Sequence, residues 1–218
     1  DCIVLAQHAE AVGVDAVSFV APYYFKPPTV EELAACCEII AASIPRTPFY
    51  FYHIPVLTGV SFNMIDLLRA VDGRIPNFAG IKYTHEDFMD FLSCLQYANG
   101  KYDMIWGRDE TFLSALAIGA KAAIGSTFNY AAPLYHQLIH LFNEGKLEEA
   151  ASMQQLSIDM IRLLGKYGGI ATGKAFMNYI GFDCGEFRLP VRNMDASAFE
   201  RFRSDADALP MQPYWSVI

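Results

Sequence analysis

The chain repeats one pattern over its first 143 positions: apolar residues at helical spacing, then a short stretch apolar at nearly every position, then a turn. Residues 1–12 set Ile3, Leu5, Ala6, Ala9 and Val12 on one helical face, and Gly13 follows where a left-handed stop is wanted. Residues 16–21, AVSFVA, suit one short strand, ended by Pro22. Thr29 offers an N-cap oxygen, and Glu31 and Glu32 fall in the first turn, where carboxylates complement the helix dipole; that helix is expected to end near residue 44. Pro45 and Pro48 fence it from a strand at 49–53. The alternation continues with helices at 63–71, 87–98, 111–119 and 133–143, and strands at 78–84, 104–107 and 122–127.

No hairpin turn joins adjacent strands, because the one Asn-Gly pair, Asn99 and Gly100, follows a helix. Apolar strands separated by helices imply a parallel sheet covered on both faces. From Gly145 onward the strands stop, and helices are expected at 146–165, 174–180 and 195–209, with an irregular tail after Pro210. The expected division is a (β/α) catalytic part over 1–143 and a helical extension over 144–218.

Two α/β architectures fit such a repeat. A dinucleotide-binding sheet would need a glycine fingerprint after its first strand, and Ala21-Pro22-Tyr23-Tyr24 has none. Polar residues and glycines gather instead at strand C-termini: Tyr52 and His53, Lys82 and Thr84, Gly107 and Asp109, Ser126 and Thr127. In a (β/α)8 barrel these ends converge on the mouth where chemistry takes place. The expected fold class is therefore α/β, a TIM barrel followed by C-terminal helices. Five strands are visible where eight are needed, so the first three, about 90 residues at roughly 30 per unit, are expected upstream of Asp1.

Composition narrows the function. The 218 residues are 53% hydrophobic and 18% charged with a net charge of −8, the balance of a soluble globular protein. There is no basic stripe, which argues against nucleic acid as a partner. Cys2, Cys36, Cys37, Cys94 and Cys184 are odd in number and lack C-x-x-C spacing, so reduced thiols and a cytoplasmic location are expected. No apolar run reaches 18 residues and no basic-then-apolar start occurs, so neither a membrane span nor a signal peptide is expected.

Candidate chemistry centres on Lys82 in FAGIKYT, residues 78–84. Strand alternation would put Gly80, Lys82 and Thr84 on one side, an amine and a hydroxyl sharing a face with a gap left by glycine. Lysine is almost never buried without a purpose, and desolvation disfavours its charged form, making it a nucleophile able to form an imine with a carbonyl. The alternative is a strand-end lysine whose stem packs while its head reaches water.

FYFYHIPVLTG at 49–59, GIKYT at 80–84, WGRDE at 106–110 and GSTFN at 125–129, in that order, resemble the pyruvate-dependent class I aldolases of the N-acetylneuraminate lyase and dihydrodipicolinate synthase family. The resemblance implies that Lys82 takes the carbonyl of pyruvate as a Schiff base and that Tyr52 relays a proton as the bond beyond pyruvate breaks. It implies Asp109, Glu110 and Ser126 as holders of a sugar's hydroxyls, with Thr84 and Gly107 lining the same pocket. It further implies no cofactor and no metal, a small-molecule 2-keto acid substrate such as sialic acid, and a homotetramer. The synthase branch carries an arginine five residues after the tyrosine; here Leu57, taken as buried, cannot supply a fork for a carboxylate. The expected reaction is thus cleavage of N-acetylneuraminate to pyruvate and N-acetylmannosamine. Rival readings are another pyruvate-dependent aldolase or synthase of the family, and a non-catalytic interaction or regulatory member.

Other signals are set aside. GGIATGK at 168–174 has P-loop spacing, but Ala175 stands where Ser or Thr belongs and a helix precedes it. His136 and His140 lie one helical turn apart without the glutamate or third ligand of a zinc site. Lys101 and Lys121 sit near strand starts, the stability end of a barrel.

Overall fold

The computed structural model describes residues 1–217. Five parallel strands pair strictly in chain order: β1 (Val17–Val20), β2 (Phe49–His53), β3 (Phe78–Tyr83), β4 (Asp103–Trp106) and β5 (Ala122–Ala123). Alternating with them along the chain are α1 (Cys2–Val12), α2 (Val30–Ala42), α3 (Pro55–Thr58), α4 (Met64–Val71), α5 (Phe88–Gln96) and α6 (Phe112–Ala117). After β5 come α7 (Phe128–Asn143), α8 (Leu147–Tyr167), α9 (Ile170–Tyr179) and α10 (Ala196–Asp207). Sequential pairing settles the choice of architecture. A doubly wound sheet reverses strand order at its switch point, whereas barrel strands each pair with the next. No helix among the described residues is long and apolar enough to cross a membrane.

The chain forms two compact units, one of residues 1–108 with 118–124, the other of residues 109–117 with 125–218. Positions 143 and 144 both lie in the second.

The first unit holds the sheet. Thr29 caps α2 as expected, its side chain accepting from the Glu31 amide, and Gly13 closes α1 at φ 78°. Phe49, Phe51, Ile81, Tyr83 and Trp106 are buried around the strands, and Trp106 packs with Tyr83, Phe88 and Phe91 at centroid separations of 6.0, 4.9 and 4.8 Å. Asp90 is the polar pin of this layer. Asn63 makes no side-chain cap for α4, and the buried Asp90 carboxylate instead accepts from the Met64 and Ile65 amides at 2.8 and 3.1 Å, and from the Tyr83 hydroxyl at 2.9 Å. One carboxylate thus satisfies orphan donors of a helix end and ties them to the strand carrying Lys82.

Gly80 corrects the sequence reading. A Cβ built there would lie 2.0 Å from the Asp103 carbonyl oxygen, so the space left by the missing side chain is occupied by the β4 backbone. Glycine is present for close strand approach rather than to leave room for a ligand.

In the second unit α7 packs along α8 over a core of Tyr130, Leu134, Tyr135, Leu138, Met160, Phe176 and Phe202. Tyr130 stacks on Phe176 at 4.6 Å. α7 starts earlier than expected, but Ala131 breaks it at φ −136°, ψ 29°, because Pro133 disfavours helical continuity through the residues before it. The last expected strand, 122–127, shrinks to two residues. Its remainder turns away at Gly125, and the Thr127 amide bonds a side chain rather than a strand.

Replacing Gly80 with Ala is expected to lower unfolding free energy by about 1–3 kcal/mol or more, the usual cost of overpacking. Gly165→Ala, at an exposed site inside α8 where a Cβ meets nothing within 4 Å, is expected to raise it by about 1 kcal/mol. Urea denaturation of the two variants checks both signs.

Candidate active site

Parallel register brings the two central candidates together. Tyr52 pairs with Lys82, and Lys82 in turn with Ile105, so the side chains of Tyr52 and Lys82 stand side by side on the sheet. Lys82 is half-buried, and its Nζ lies 3.9 Å from the centroid of the Tyr52 ring. This register depends on a bulge. Pairing steps from Phe49 with Phe78 to Tyr50 with Gly80, leaving Ala79 as an extra residue, and without that step every later β3 side chain would face the other way.

Thr84 follows directly on the strand. It is 8% exposed, and its Oγ1 is buried with no hydrogen-bond partner in the protein. Gly107 lies against it, since a Cβ there would fall 2.0 Å from that oxygen. A buried hydroxyl left unsatisfied is available to a ligand or a water. Lys82 with Tyr52, and Thr84 with Gly107, are therefore the two groupings of candidate residues in the first unit.

In the second unit Asp109 is 6% exposed, Glu110 is half-buried and Ser126 is exposed. Asp109 opens a short 3-10 turn, 109–111, leading into α6. Its Oδ2 accepts from the Thr127 amide at 3.1 Å and the Thr127 hydroxyl at 2.6 Å. A Cβ on Gly125 would sit 1.6 Å from Asp109 Oδ1, so only glycine fits beside this carboxylate. Gln154 of α8 holds the same turn, donating to the Asp109 carbonyl at 3.1 Å and accepting from the Leu113 amide at 2.8 Å. Asp109 is thus brought against the 125–127 loop that presents Ser126, a link the sequence did not show.

Leu57 requires a correction. It lies in the single turn of α3 and is 75% exposed, not buried. That position still offers no guanidinium, for reasons of side-chain chemistry alone. Lys101 is held by Asp72 at 2.5 Å, and Lys174 sits within α9 with its Nζ on the carbonyls of Cys184 and Glu186. His140 pairs with Glu144 at 3.2 Å. Among the described residues no group of three or more His, Cys, Asp or Glu side chains is arranged to hold a metal ion.

The sequence reading passed over Tyr23, Tyr24 and Phe25. They follow the C-terminal end of β1 and are 68%, 83% and 84% exposed. Three consecutive aromatics just after a strand were the available signal.

With this geometry in place, the model of the dihydrodipicolinate synthetase family matches residues 1–209. Over 207 residues the chain is 36% identical to the N-acetylneuraminate lyase of Rattus norvegicus, covering 94% of this chain and 63% of that protein. The chain therefore spans less than two thirds of that relative's length. Among solved structures, Proteus mirabilis N-acetylneuraminate lyase superposes with a TM-score of 0.92 at 40% identity, covering 95% of this chain and 70% of the other. The N-acetylneuraminate lyase (sialic acid aldolase) of Aliivibrio salmonicida gives 0.92 at 36%, covering 95% and 69%.

His53, next to Tyr52, yields a test of the site's surroundings. It is 1% exposed, and burial, reinforced by the neighbouring His85, pushes its pKa down to about 3 from the ordinary 6.5. Between those values the unfolded chain binds a proton that the folded chain does not, so stability is full above about pH 6.5 and falls as pH drops below it. From pH 6.5 to 5, above most carboxylate titration, this amounts to roughly 1.5 kcal/mol. Thermal unfolding across that window should show the slope, and His53→Asn should flatten it.

Proposed function

The chain belongs to the dihydrodipicolinate synthetase family, and from that premise we propose that it acts as a class I aldolase, cleaving N-acetylneuraminate to pyruvate and N-acetylmannosamine. The observation that carries this reading is the Lys82 amine standing 3.9 Å over the Tyr52 ring at the C-terminal end of the sheet. Relatives named N-acetylneuraminate lyase at 36% and 40% identity support the choice of substrate.

The chemistry follows from the residues. The neutral Lys82 amine adds to the C2 carbonyl of the open-chain sugar acid and loses water, leaving a protonated imine. That cation is an electron sink: as the C3–C4 bond breaks, its electron pair moves into the imine to give an enamine. The C4 hydroxyl proton leaves by way of the neighbouring Tyr52 hydroxyl, the candidate relay, and the aldehyde departs. Reprotonation at C3 and addition of water to the imine release pyruvate and restore Lys82. The covalent imine does the work a cofactor would otherwise do.

Asp109, Glu110 and Ser126 are proposed to hold the hydroxylated part of the substrate, since carboxylates and hydroxyls accept hydrogen bonds from a polyol. Thr84, with its unpartnered Oγ1, and Gly107 are proposed to line the pocket. Leu57 favours an uncharged sugar aldehyde over a partner bearing its own carboxylate, which would call for a basic fork. A cytoplasmic homotetramer completes the proposal, and the exposed run Tyr23–Phe25 supports an interface between copies. A different aldehyde partner within the same chemistry is the second reading, favoured by the match of the chain to the dihydrodipicolinate synthetase family model as a whole.

Borohydride reduction in the presence of pyruvate is expected to fix an adduct on Lys82, read by peptide mapping, and Lys82→Ala should lose it. Tyr52→Phe should retain trapping yet cleave N-acetylneuraminate about 100-fold more slowly or worse, within the span of general acid–base contributions. No adduct, or one on another lysine, would sink the proposal. Trapping without cleavage of N-acetylneuraminate, but with cleavage of another 4-hydroxy-2-oxo acid, would move it to the second reading.

A further inference from the structure

A buried hydrogen-bonded chain runs from α8 through α7 to Asp109. The Ser157 and Tyr135 hydroxyls lie 2.8 Å apart, Tyr135 bonds the Thr127 hydroxyl, and Thr127 bonds Asp109 Oδ2 at 2.6 Å. All four residues are buried. Counting protons fixes the direction. An ionised carboxylate only accepts, so Thr127 gives Asp109 its single hydroxyl proton; Tyr135 must then donate to Thr127, and Ser157 to Tyr135. Each donor is polarised by the next, and the series ends on a negative charge.

The aldolase reading assigns no part to Ser157, Tyr135 or Thr127, yet their chain ends on Asp109 and on the loop that carries Ser126. Thr127 binds Asp109 through both its amide and its hydroxyl, and Gly125 closes against the other carboxylate oxygen, so Asp109 and the loop hold one another in one arrangement. Tyr135 fixes the Thr127 hydroxyl in the rotation that makes this possible. A threonine hydroxyl without that donor is free to swing toward other acceptors, and the carboxylate loses its orientation with it.

We propose that Tyr135 is a positioning residue that sets preference for the hydroxylated end of the substrate, acting through Thr127 on Asp109 and Ser126. The inference rests on the aldolase reading and extends it: Lys82 and Tyr52 break the bond, while the Ser157–Tyr135–Thr127 chain decides how well a polyol tail is distinguished from a plain alkyl one. It also identifies Thr127, beside the expected Ser126, as part of the specificity apparatus.

The test compares kcat/KM for N-acetylneuraminate with that for 4-hydroxy-2-oxopentanoate, which shares the bond to be broken but lacks the polyol, alongside borohydride trapping of pyruvate. In Tyr135→Phe and Thr127→Val the ratio is expected to fall about tenfold, the scale of losing a hydrogen bond to a charged group. Trapping should remain at the wild-type extent, and Thr127→Ser, which keeps the hydroxyl, should stay within about twofold of wild type, a small difference on the same scale. Ser157→Ala, a change at the far end of the chain, gives the same reading if Tyr135→Phe does not fold. An unchanged ratio in folded variants overturns the proposal, as does an equal loss for both substrates together with loss of trapping, which would mark a purely structural network. A wild-type protein that traps no pyruvate overturns the aldolase reading, and this proposal with it; trapping in wild type with an unmoved ratio in the variants overturns this proposal alone.

Discussion

In a parallel ladder, residues at matched positions point to the same side, and strands that pair in chain order bring all their C-terminal ends to one edge. The placement of Lys82 beside Tyr52 follows from that constraint and from a single irregularity, the extra residue Ala79. The bulge shifts β3 by one position relative to β2 and so decides which β3 side chains share a face with Tyr52. Gly80 then lets β4 close in tightly enough to hold the shifted strand. The juxtaposition of Lys82 and Tyr52 therefore depends as much on two small residues without chemistry of their own as on the lysine and the tyrosine.

The same economy recurs in the buried carboxylates. Asp90 accepts from two amides at the start of α4 and from Tyr83, the neighbour of Lys82, so one charge both completes a helix end and steadies the strand. Asp109 does the equivalent work in the second unit, accepting twice from Thr127. In each case a group that would be costly to bury alone is stabilised by several donors, and the cost of misplacing those donors makes the local arrangement specific.

Much of this could be read from sequence because it is periodic. The strands at 49–53 and 78–84, the Thr29 cap and the Gly13 stop depend on neighbours a few residues away, and they occur within a residue or two of expectation. What escaped depended on contacts between distant positions. The strand expected at 122–127 ends after Ala123 because Thr127, eighteen residues after Asp109, bonds that carboxylate. Gly80 looked like a space for a ligand until β4 filled it, and Leu57 looked buried because apolar character says nothing of where a single helical turn faces. Tyr135 and Ser157 gave no signal at all, being ordinary members of helical faces.

The outer side of β1 has consequences for how the molecule behaves in solution. Among the described residues β1 pairs on one side only, with β2, and around it Ile3, Leu5, Val20, Tyr23 and Ile39 are exposed. The strand VSFV carries no charge, and the nearest proline, Pro22, falls after it rather than within it. An uncovered strand of this kind is open to templated addition by another extended segment, and natural edges are ordinarily guarded by lysines, prolines or bulges acting as gatekeepers. VSFV carries none of these guards within the strand itself, so an occupant of that edge would be the element that keeps it from pairing with other extended segments.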